Sequence, residues 1–289
     1  NSKILKSGHI KLYKRENSKF WQMKIKLPKL KAIRSSTGSK ILRDAESIAL
    51  KYYNSISSKT KLSINRTSNI FKKIHLVETA DLTKKEILHI LNESKKYISF
   101  NRRKIKKINI LEGRTIFNLF FEDSTRTRTS FEVAAKRLGA DLINVVVKDS
   151  SINKGETLLD TMTTINSMNP DVLIVRHPEE GISKRISETV DASVINAGDG
   201  SHEHPTQALL DALTIKNKFN NFAKLKIAIC GDILHSRVAR SNIIILSKLG
   251  AKINVIGPKE WLPKNINKLP VNVFTDMRKG LKNCDIVMM

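Results

Sequence analysis

Short apolar runs alternate with amphipathic segments along most of the chain, from Arg114 onward. The amphipathic segments carry apolar residues at helical spacing, as Phe131, Ala134, Ala135 and Leu138 do in one of them. Apolar strands that alternate with helices are typical of a parallel sheet covered on both faces. The pattern therefore predicts an α/β fold for this part of the chain.

The beginning of the chain follows a different pattern. Residues 9–35 contain three short runs that alternate like strands, and in "KFWQMKIKLP" Trp21 and Met23 share an apolar face opposite a basic one. Residues 43–56 predict a helix whose apolar stripe is formed by Ala45, Ile48, Ala49 and Tyr52. We interpret this beginning as a small basic β-β-β-α module.

Composition shifts suggest the domain boundaries, because residues 57–69 are polar, rich in Ser, Thr and Lys, and without periodicity. A capping box at Thr83 and Glu86 then marks the start of a helix. The predicted parts are the basic module at 1–56, a linker at 57–69, a first α/β domain at 70–215 and a second at 222–289.

Charge is distributed unevenly over the 289 residues. The formal net charge is +25, and residues 1–68 contribute 17 Lys and Arg against 3 Asp and Glu. Such asymmetry is typical of a basic module that precedes a second body. Cys230 and Cys284 have no CxxC spacing, which argues against a disulfide framework or a zinc site and favours the cytoplasm. No apolar run reaches the length of a membrane span.

Cations and hydroxyls follow the predicted strands. In a parallel sheet, ligands bind at the carboxyl ends of the strands, so these side chains are expected at one edge. Without an obvious carboxylate pair, such a set suits an anionic substrate and stabilisation of a departing anion. The residues, in strand order, are Ser124, Thr125, Arg126 and Thr127; Ser150, Ser151 and Lys154; Arg176; His204 and Gln207; and Arg237.

The segment from Ser124 to Arg128 lies between an apolar strand and a helix. A helix start favours anions through its free N–H groups and its dipole, and hydroxyls and Arg forks complement a phosphate. The alternative is a simple N-cap with two surface arginines. His202 and His204 lack a persuasive third ligand, so we predict no metal.

Five motifs resemble, in order and spacing, those of the aspartate carbamoyltransferase catalytic chain, over residues 69–289. Ornithine carbamoyltransferases share the first motif and the fold, whereas "KGETLLDT" and "RHPEEG" are similar to the aspartate enzymes. The resemblance implies the carbamoyltransferase fold, with two parallel-sheet α/β domains. The motifs are "STRTRTSFE", "KGETLLDT", "VRHPEEG", "NAGDGSHEHPTQALLD" and "GDILHSRVARS".

The implied reaction is carbamoyl phosphate plus L-aspartate giving N-carbamoyl-L-aspartate and phosphate, in de novo pyrimidine biosynthesis. The resemblance implies a role for each residue of this sequence that matches a family motif. Ser124, Thr125, Arg126 and Thr127 bind the phosphate group; Arg126 stabilises it as it departs; Thr127, Arg176 and His204 polarise the carbamoyl oxygen; Gln207 holds the carbamoyl nitrogen; Arg237 binds an aspartate carboxylate; Ser150, with Ser151 as an alternative, and Lys154 reach the neighbouring subunit's site.

The resemblance also implies partners. The family forms homotrimers with active sites at subunit boundaries, and no cofactor or metal is implied. Regulatory chains stay open as further partners.

Two departures from the family pattern affect these expectations. The family continues beyond a strand such as "DIVMM", so the second domain is expected to be incomplete and the 289-residue chain, as written, inactive and poorly soluble.

Residues 1–68 instead resemble the N-terminal arm-binding domain of phage-type tyrosine recombinases, which implies contact with DNA. The alternative is a DNA-binding protein fused to a non-functional carbamoyltransferase fragment, or a fusion without function.

Overall fold

The computed structural model describes residues 2–5, 9–26, 32–53, 74–146 and 157–289. The chain divides into two compact units, residues 1–72 and residues 73–289. The predicted linker at 57–69 lies outside the described residues.

The first unit contains an antiparallel sheet of four strands in the order β1-β2-β3-β4, followed by helix α1 at 42–53. Three strands were predicted, and that count is wrong because β1 was missed. β1 is an edge strand whose first three side chains are exposed, so backbone pairing with β2 defines it and no apolar pattern announces it. The strands are β1 (Ser2–Leu5), β2 (Ile10–Tyr13), β3 (Gln22–Ile25) and β4 (Ile33–Ser36).

The core of this unit lies between one face of the sheet and α1. Ala45 and Ala49 are fully buried there, but Ile48 and Tyr52 are 39% and 41% exposed. The predicted stripe is therefore wrong for these two residues. The small alanines lie against the sheet, and the larger side chains beside the contact come from the neighbouring positions Leu42, Leu50 and Tyr53.

The second unit alternates strands and helices, as the pattern predicts. Its first part comprises α2 (Lys84–Ile98), β5 (Thr115–Phe120), α3 (Thr125–Leu138), β6 (Asp141–Val146), α4 (Leu158–Ser167), β7 (Val172–His177), α5 (Ile182–Ser187), β8 (Ser193–Asp199) and α6 (Pro205–Phe219). Its second part comprises β9 (Lys226–Cys230), α7 (Arg237–Leu249), β10 (Lys252–Ile256), β11 (Val271–Phe274), α8 (Met277–Leu281) and β12 (Ile286–Met288).

Two parallel sheets organise this unit, with the strand orders β6-β5-β7-β8 and β11-β10-β9-β12. The predicted α/β class is confirmed. In the first sheet the chain runs from β5 to β6 and then returns to the other side of β5 as β7. This reversal is a topological switch point, where α/β proteins bind their ligands.

Apolar side chains cover both faces of the first sheet. Phe117 and Leu119 of β5 pack on one side in the cluster that includes Met162 of α4, while Ile116 and Phe120 pack on the other side. β5 is thus buried on both faces up to its carboxyl end, where the site begins.

Helix α2 begins as its sequence predicts. Thr83 is the N-cap, its hydroxyl accepts from the amide of Glu86, and the carboxylate of Glu86 accepts from the amide of Thr83 at 2.8 Å. The capping box is confirmed, and it satisfies the amides that a helix start leaves unpaired.

Candidate active site

A cavity of about 800 Å³ lies beyond the carboxyl ends of β5 and β7, between these strands and the first turns of α6 and α7. It brings together seven of the ten predicted site residues. These are Ser124, Arg126, Thr127, Arg176, His204, Gln207 and Arg237.

The other three predicted residues lie elsewhere. Thr125 lines a neighbouring, largely apolar cavity of about 870 Å³. Ser150 and Lys154 lie outside the described residues, as does Ser151.

Helix α3 begins at Thr125, earlier than the predicted start at Thr129, so Arg126 and Thr127 belong to its first turn. Ser124 is the N-cap residue, yet its side chain makes no capping hydrogen bond to the helix. Its hydroxyl therefore lines the cavity near the positive end of the helix dipole, an arrangement that favours an anion.

Two arginines in the first turn of α3, Arg126 and Arg128, differ in whether they line the cavity. Arg126 lines the cavity, whereas Arg128 is exposed and does not. The pKa of Glu132, one turn further along, is lowered by its hydrogen bond and charge contact with Lys136, with a smaller contribution from Arg128.

The predicted apolar stripe of α3 is wrong at Ala134, which is exposed to the cavity instead of buried.

Arg176 comes from the end of β7 and is half-buried at the cavity wall. Its Nη1 donates to Thr127 Oγ1 and to the carbonyl oxygen of Ala197, both at 3.3 Å. Burial lowers the pKa of Arg176, and the nearby charge of Arg237 lowers it further, while Glu122 opposes both effects. The guanidinium stays charged at neutral pH because its unperturbed pKa is far higher.

Glu122 is a site residue that the sequence reasoning missed. Its Oε1 lies 2.6 Å from Arg176 Nε and 2.6 Å from Arg237 Nη2. One carboxylate thus bridges two guanidinium groups, one from strand β7 and one from the start of helix α7. The sequence signal for Glu122 is its position directly after the buried strand β5, although a carboxylate there is not expected from a site built of cations and hydroxyls.

Arg237 begins α7, next to the N-cap Ser236. Its Nη2 is bound to Glu122, but its buried Nη1 has no hydrogen-bond partner among the described residues. Nη1 is buried against Gly198, but the Arg237 side chain as a whole lines the cavity, so its positive charge lies beside any anion that binds there.

His204 is only 6% exposed and lies at the start of α6, beside Pro205. Burial lowers the pKa of His204 to about 4, and the charges of Arg176 and Arg237 act in the same direction. Its imidazole is therefore neutral at physiological pH and carries one N–H donor.

A buried carboxylate fixes the turn that carries His204. Glu203 accepts hydrogen bonds from the amide and the hydroxyl of Thr79 and from the hydroxyl of Ser241, with donor distances to Oε2 of 3.0, 2.6 and 2.9 Å. The Ser241 hydroxyl in turn accepts from the amide of His204 at 2.9 Å. Helix α7 thus positions a residue at the start of α6.

Gln207 lies one turn beyond His204 on α6, and both line the cavity, as their spacing predicts. Its Nε2 donates to Asp211 Oδ1 at 2.9 Å, and Asp211 also accepts from Asn242 of α7 at 2.7 Å. The amide group is therefore oriented with its oxygen available to the cavity.

Gly198 brings the backbone close to both bridged arginines. Its φ is +118°, and a Cβ there would lie 3.1 Å from Arg237 Nη1 and 3.3 Å from Arg176 Nη1. Glycine is required for the backbone conformation and for the space that the guanidiniums occupy.

Within the described part of the chain, no group of three or more His, Cys, Asp or Glu side chains could hold a metal ion. Nor does any of the described helices combine the length and the apolar character that crossing a membrane needs.

The comparisons with known proteins begin with a family profile. The profile of the aspartate/ornithine carbamoyltransferase carbamoyl-P binding domain matches residues 74–217. This match, two parallel sheets and a cation-rich cavity at a switch point define a carbamoyltransferase.

Relatives specify the family further. The aspartate carbamoyltransferase catalytic subunits of Pelagibacter ubique and Rhodospirillum rubrum are each 54% identical to the chain, over 226 and 215 residues. The alignments cover 78% and 74% of this chain and 72% and 67% of the relatives. The chain therefore belongs to the aspartate carbamoyltransferase family, as its motifs predict.

Solved structures agree with this assignment. The catalytic subunit of the M. Jannaschii aspartate transcarbamoylase is 37% identical, with a TM-score of 0.66, and the match covers 74% of this chain and 72% of that one. The Trypanosoma cruzi enzyme in complex with carbamoyl phosphate and aspartate is 30% identical, with a TM-score of 0.65 and coverages of 74% and 70%. The predicted carbamoyltransferase fold is confirmed.

Gly198→Ala should weaken carbamoyl phosphate binding, because the added Cβ displaces the guanidinium of Arg176, which faces the carbamoyl group in the arrangement proposed below, together with that of Arg237. Gly231 has the same φ of +118° but open space around its Cβ position, so Gly231→Ala is a matched control. Both variants should lose about 1–2 kcal/mol of unfolding free energy through backbone strain. Only Gly198→Ala should lower carbamoyl phosphate affinity in calorimetric titrations; an equal loss in both variants would show that the clash is irrelevant.

The neutral state of His204 predicts how stability depends on pH. The unfolded chain binds a proton at His204 below about pH 6.5, whereas the folded chain does so only near pH 4, so acid favours unfolding in this interval. Between pH 7 and 4 the wild type should lose about 3 kcal/mol of unfolding free energy relative to His204→Gln. Urea unfolding at both pH values measures this difference, and a constant difference would contradict it.

Proposed function

We propose that the cavity binds carbamoyl phosphate against Arg126 and the start of α3, and L-aspartate against Arg237, and that it transfers the carbamoyl group between them. The observation that carries this proposal is the set of Arg126, Arg176 and Arg237 around one cavity, balanced by the single carboxylate of Glu122. The remaining positive charge suits two anionic substrates.

The phosphate group lies at the start of α3 in this proposal. Ser124 and Thr127 donate hydroxyl hydrogen bonds, Thr125 contributes from its position in the first helical turn, and Arg126 pairs with the phosphate oxygens. As the carbon–oxygen bond to phosphate breaks, negative charge grows on these oxygens. Arg126 therefore stabilises the leaving group.

The carbamoyl carbonyl lies against Arg176, Thr127 and His204. The amine of aspartate attacks the carbonyl carbon, and the oxygen then gains negative charge that these donors stabilise. Neutral His204 donates one hydrogen bond without adding a third charge to the two neighbouring arginines. Gln207, held by Asp211, accepts from the carbamoyl nitrogen and orients the group.

The acceptor carboxylate binds the guanidinium of Arg237, which lines the cavity. An anionic acceptor fits this surplus of positive charge, whereas the cationic side chain of ornithine would face Arg176 and Arg237. Catalysis then arises from bringing two anions together and from stabilising the charge that develops. No cofactor or metal takes part in this proposal.

The protein acts as a homotrimer in this proposal, and Ser150 and Lys154 of one subunit complete the site of the next. The similarity of "KGETLLDT" to the family motif supports this part. The reaction takes place in the cytoplasm, which the two free cysteines, Cys230 and Cys284, support.

Arg126→Ala should weaken carbamoyl phosphate binding about 10- to 100-fold, which corresponds to the loss of charged hydrogen bonds to phosphate. Arg128→Ala is the matched control. It removes the same charge two residues further along the chain, and the Arg128 side chain does not line the cavity. Calorimetric titration with carbamoyl phosphate should leave the control near wild-type affinity. Equal weakening in both variants would refute the assignment of Arg126.

Mixing two inactive variants tests the sharing of sites. Arg126→Ala and Lys154→Ala chains should each lack tight carbamoyl phosphate sites. In a randomly mixed trimer, about one site in four would combine an intact Arg126 with an intact Lys154 from the neighbour. Calorimetry should then recover that fraction of sites after the mixed chains are unfolded and refolded together, and no recovery would exclude the sharing.

A further inference from the structure

The turn that precedes helix α2 is held by a side chain from the end of helix α7. Lys248 lies in the last turn of α7. Its ammonium group donates to three carbonyl oxygens, at 3.1, 2.5 and 2.7 Å, which belong to Thr79, Ala80 and Leu82. An ammonium group has three N–H donors and no acceptor, so the three carbonyls match its donors. We call this arrangement the lysine clamp.

The lysine clamp joins the two parts of the second unit. Residues 79–82 lead into the capping box of α2 in the first part, whereas α7 belongs to the second part. Within the turn, the amide of Leu82 donates to the carbonyl oxygen of Thr79 at 3.2 Å. Hydrogen bonds from a charged donor are about twice as strong as neutral ones. The clamp therefore fixes this turn more firmly than neutral donors would.

Thr79 connects the clamp to the active site. The residue is fully buried, and its carbonyl oxygen, amide and hydroxyl all have partners. The carbonyl accepts from Lys248, while the amide and the hydroxyl donate to the carboxylate of Glu203 at 3.0 and 2.6 Å. A residue that is held through its carbonyl oxygen keeps its amide in a fixed direction, because the flanking peptide planes are rigid. Lys248 thus orients Thr79 toward Glu203.

These hydrogen bonds form a closed ring. Glu203 also accepts from the hydroxyl of Ser241 on α7, and the same hydroxyl accepts from the amide of His204, both at 2.9 Å. Ser241 and Lys248 are seven residues apart on α7, two helical turns, so they lie on one face of the helix. Each member of such a network supports the others. Opening the ring at Lys248 should therefore loosen the turn in which His204 lies.

We propose that Lys248 is a positioning residue for His204 and acts through Thr79 and Glu203. Lys248 itself does not line the cavity. The inference rests on the proposed function, in which His204 donates a hydrogen bond to the carbamoyl oxygen. A donor stabilises that oxygen only if its ring is held at hydrogen-bond distance and in the right orientation. Without the clamp, the turn moves and water reaches the imidazole.

The pKa of His204 reports how tightly this turn is held. Among the described residues, the charges that act on His204 are those of Arg176 from β7, Arg237 from α7 and Asp199 from β8. The charge of Lys248 is not among them, so removing it has no direct effect on the imidazole. Burial is the main cause of the lowered pKa of His204, and water at the ring would weaken that cause.

The test follows the titration of His204 by NMR in the full chain, with its signal identified by its loss in His204→Ala. In Lys248→Ala, the pKa of His204 should rise from about 4 toward its ordinary value of about 6.5. Addition of n-propylammonium, which replaces the removed side-chain atoms, should return the pKa to about 4. Tetramethylammonium carries the same charge but has no N–H donor, so it should leave the raised pKa unchanged.

Lys216→Ala is the matched control. Lys216 lies on α6 and donates to Asn92 Oδ1 of α2 at 2.5 Å, so its loss also removes one positive charge and one contact of α2. It does not bind residues 79–82, and the pKa of His204 should therefore stay at about 4 in this variant. Thermal unfolding verifies that both variants are folded. Lys248→Met keeps the apolar stem and serves for the titration if the alanine variant does not fold.

Carbamoyl phosphate binding relates the clamp to the proposed function. Lys248→Ala should weaken binding about 3- to 10-fold in calorimetric titrations, which corresponds to one hydrogen bond. In a His204→Ala background the same substitution should change the affinity less than about twofold, because the group that it positions is gone. A raised pKa with unchanged affinity would support the positioning of His204 and contradict its role in the proposed function.

Any of four results would overturn the inference. An unchanged pKa of His204 in Lys248→Ala would show that the clamp does not influence the site. An equal rise in Lys216→Ala would show a general loosening of α2. Recovery with tetramethylammonium would show an effect of charge alone. An equal loss of carbamoyl phosphate affinity with and without His204 would show that Lys248 acts by another route.

Discussion

The carboxylate of Glu122 holds the cavity together electrostatically. It lies at the end of the central strand β5 and contacts Arg176 from the first sheet and Arg237 from α7 beside the second. Two half-buried guanidiniums would otherwise repel each other, and the lowered pKa of Arg176 reports part of that repulsion. By neutralising about one of the two charges, Glu122 lets strand β7 and helix α7 each contribute a cation while the cavity stays positive overall.

Three neighbouring residues, Gly198, His204 and Glu203, accommodate this contact between Glu122 and the two arginines. Gly198 gives the two guanidiniums the space that any side chain would occupy. His204 is kept neutral by burial and by the same arginines, so it can donate a hydrogen bond without increasing the repulsion. Glu203, buried and satisfied by Thr79 and Ser241, holds the turn in which His204 lies. A site for anions thus relies on two carboxylates, Glu122 and Glu203, that do not line the cavity.

Periodicity was sufficient for the strands and helices of the second unit, because each apolar run packs on both faces of a parallel sheet. Periodicity predicted the wrong result for elements that bury only one face or little of their surface. The exposed edge strand β1 was missed, and Ile48 and Tyr52 were assigned to a face that α1 turns toward solvent. In α3, Ala134 continues an apolar stripe in the sequence but faces the cavity, because the stripe ends where the helix meets the site.

The sequence by itself determined which cations and hydroxyls follow which strand, because a parallel sheet places all its carboxyl ends at one edge and the chain order then assigns each residue its place. Only the tertiary structure decided the pairing of Glu122 with two arginines, the burial of Glu203 and the space beside Gly198. These contacts join residues about 20 to 125 positions apart in the chain. No local pattern encodes them, because they depend on how the two sheets and their helices pack.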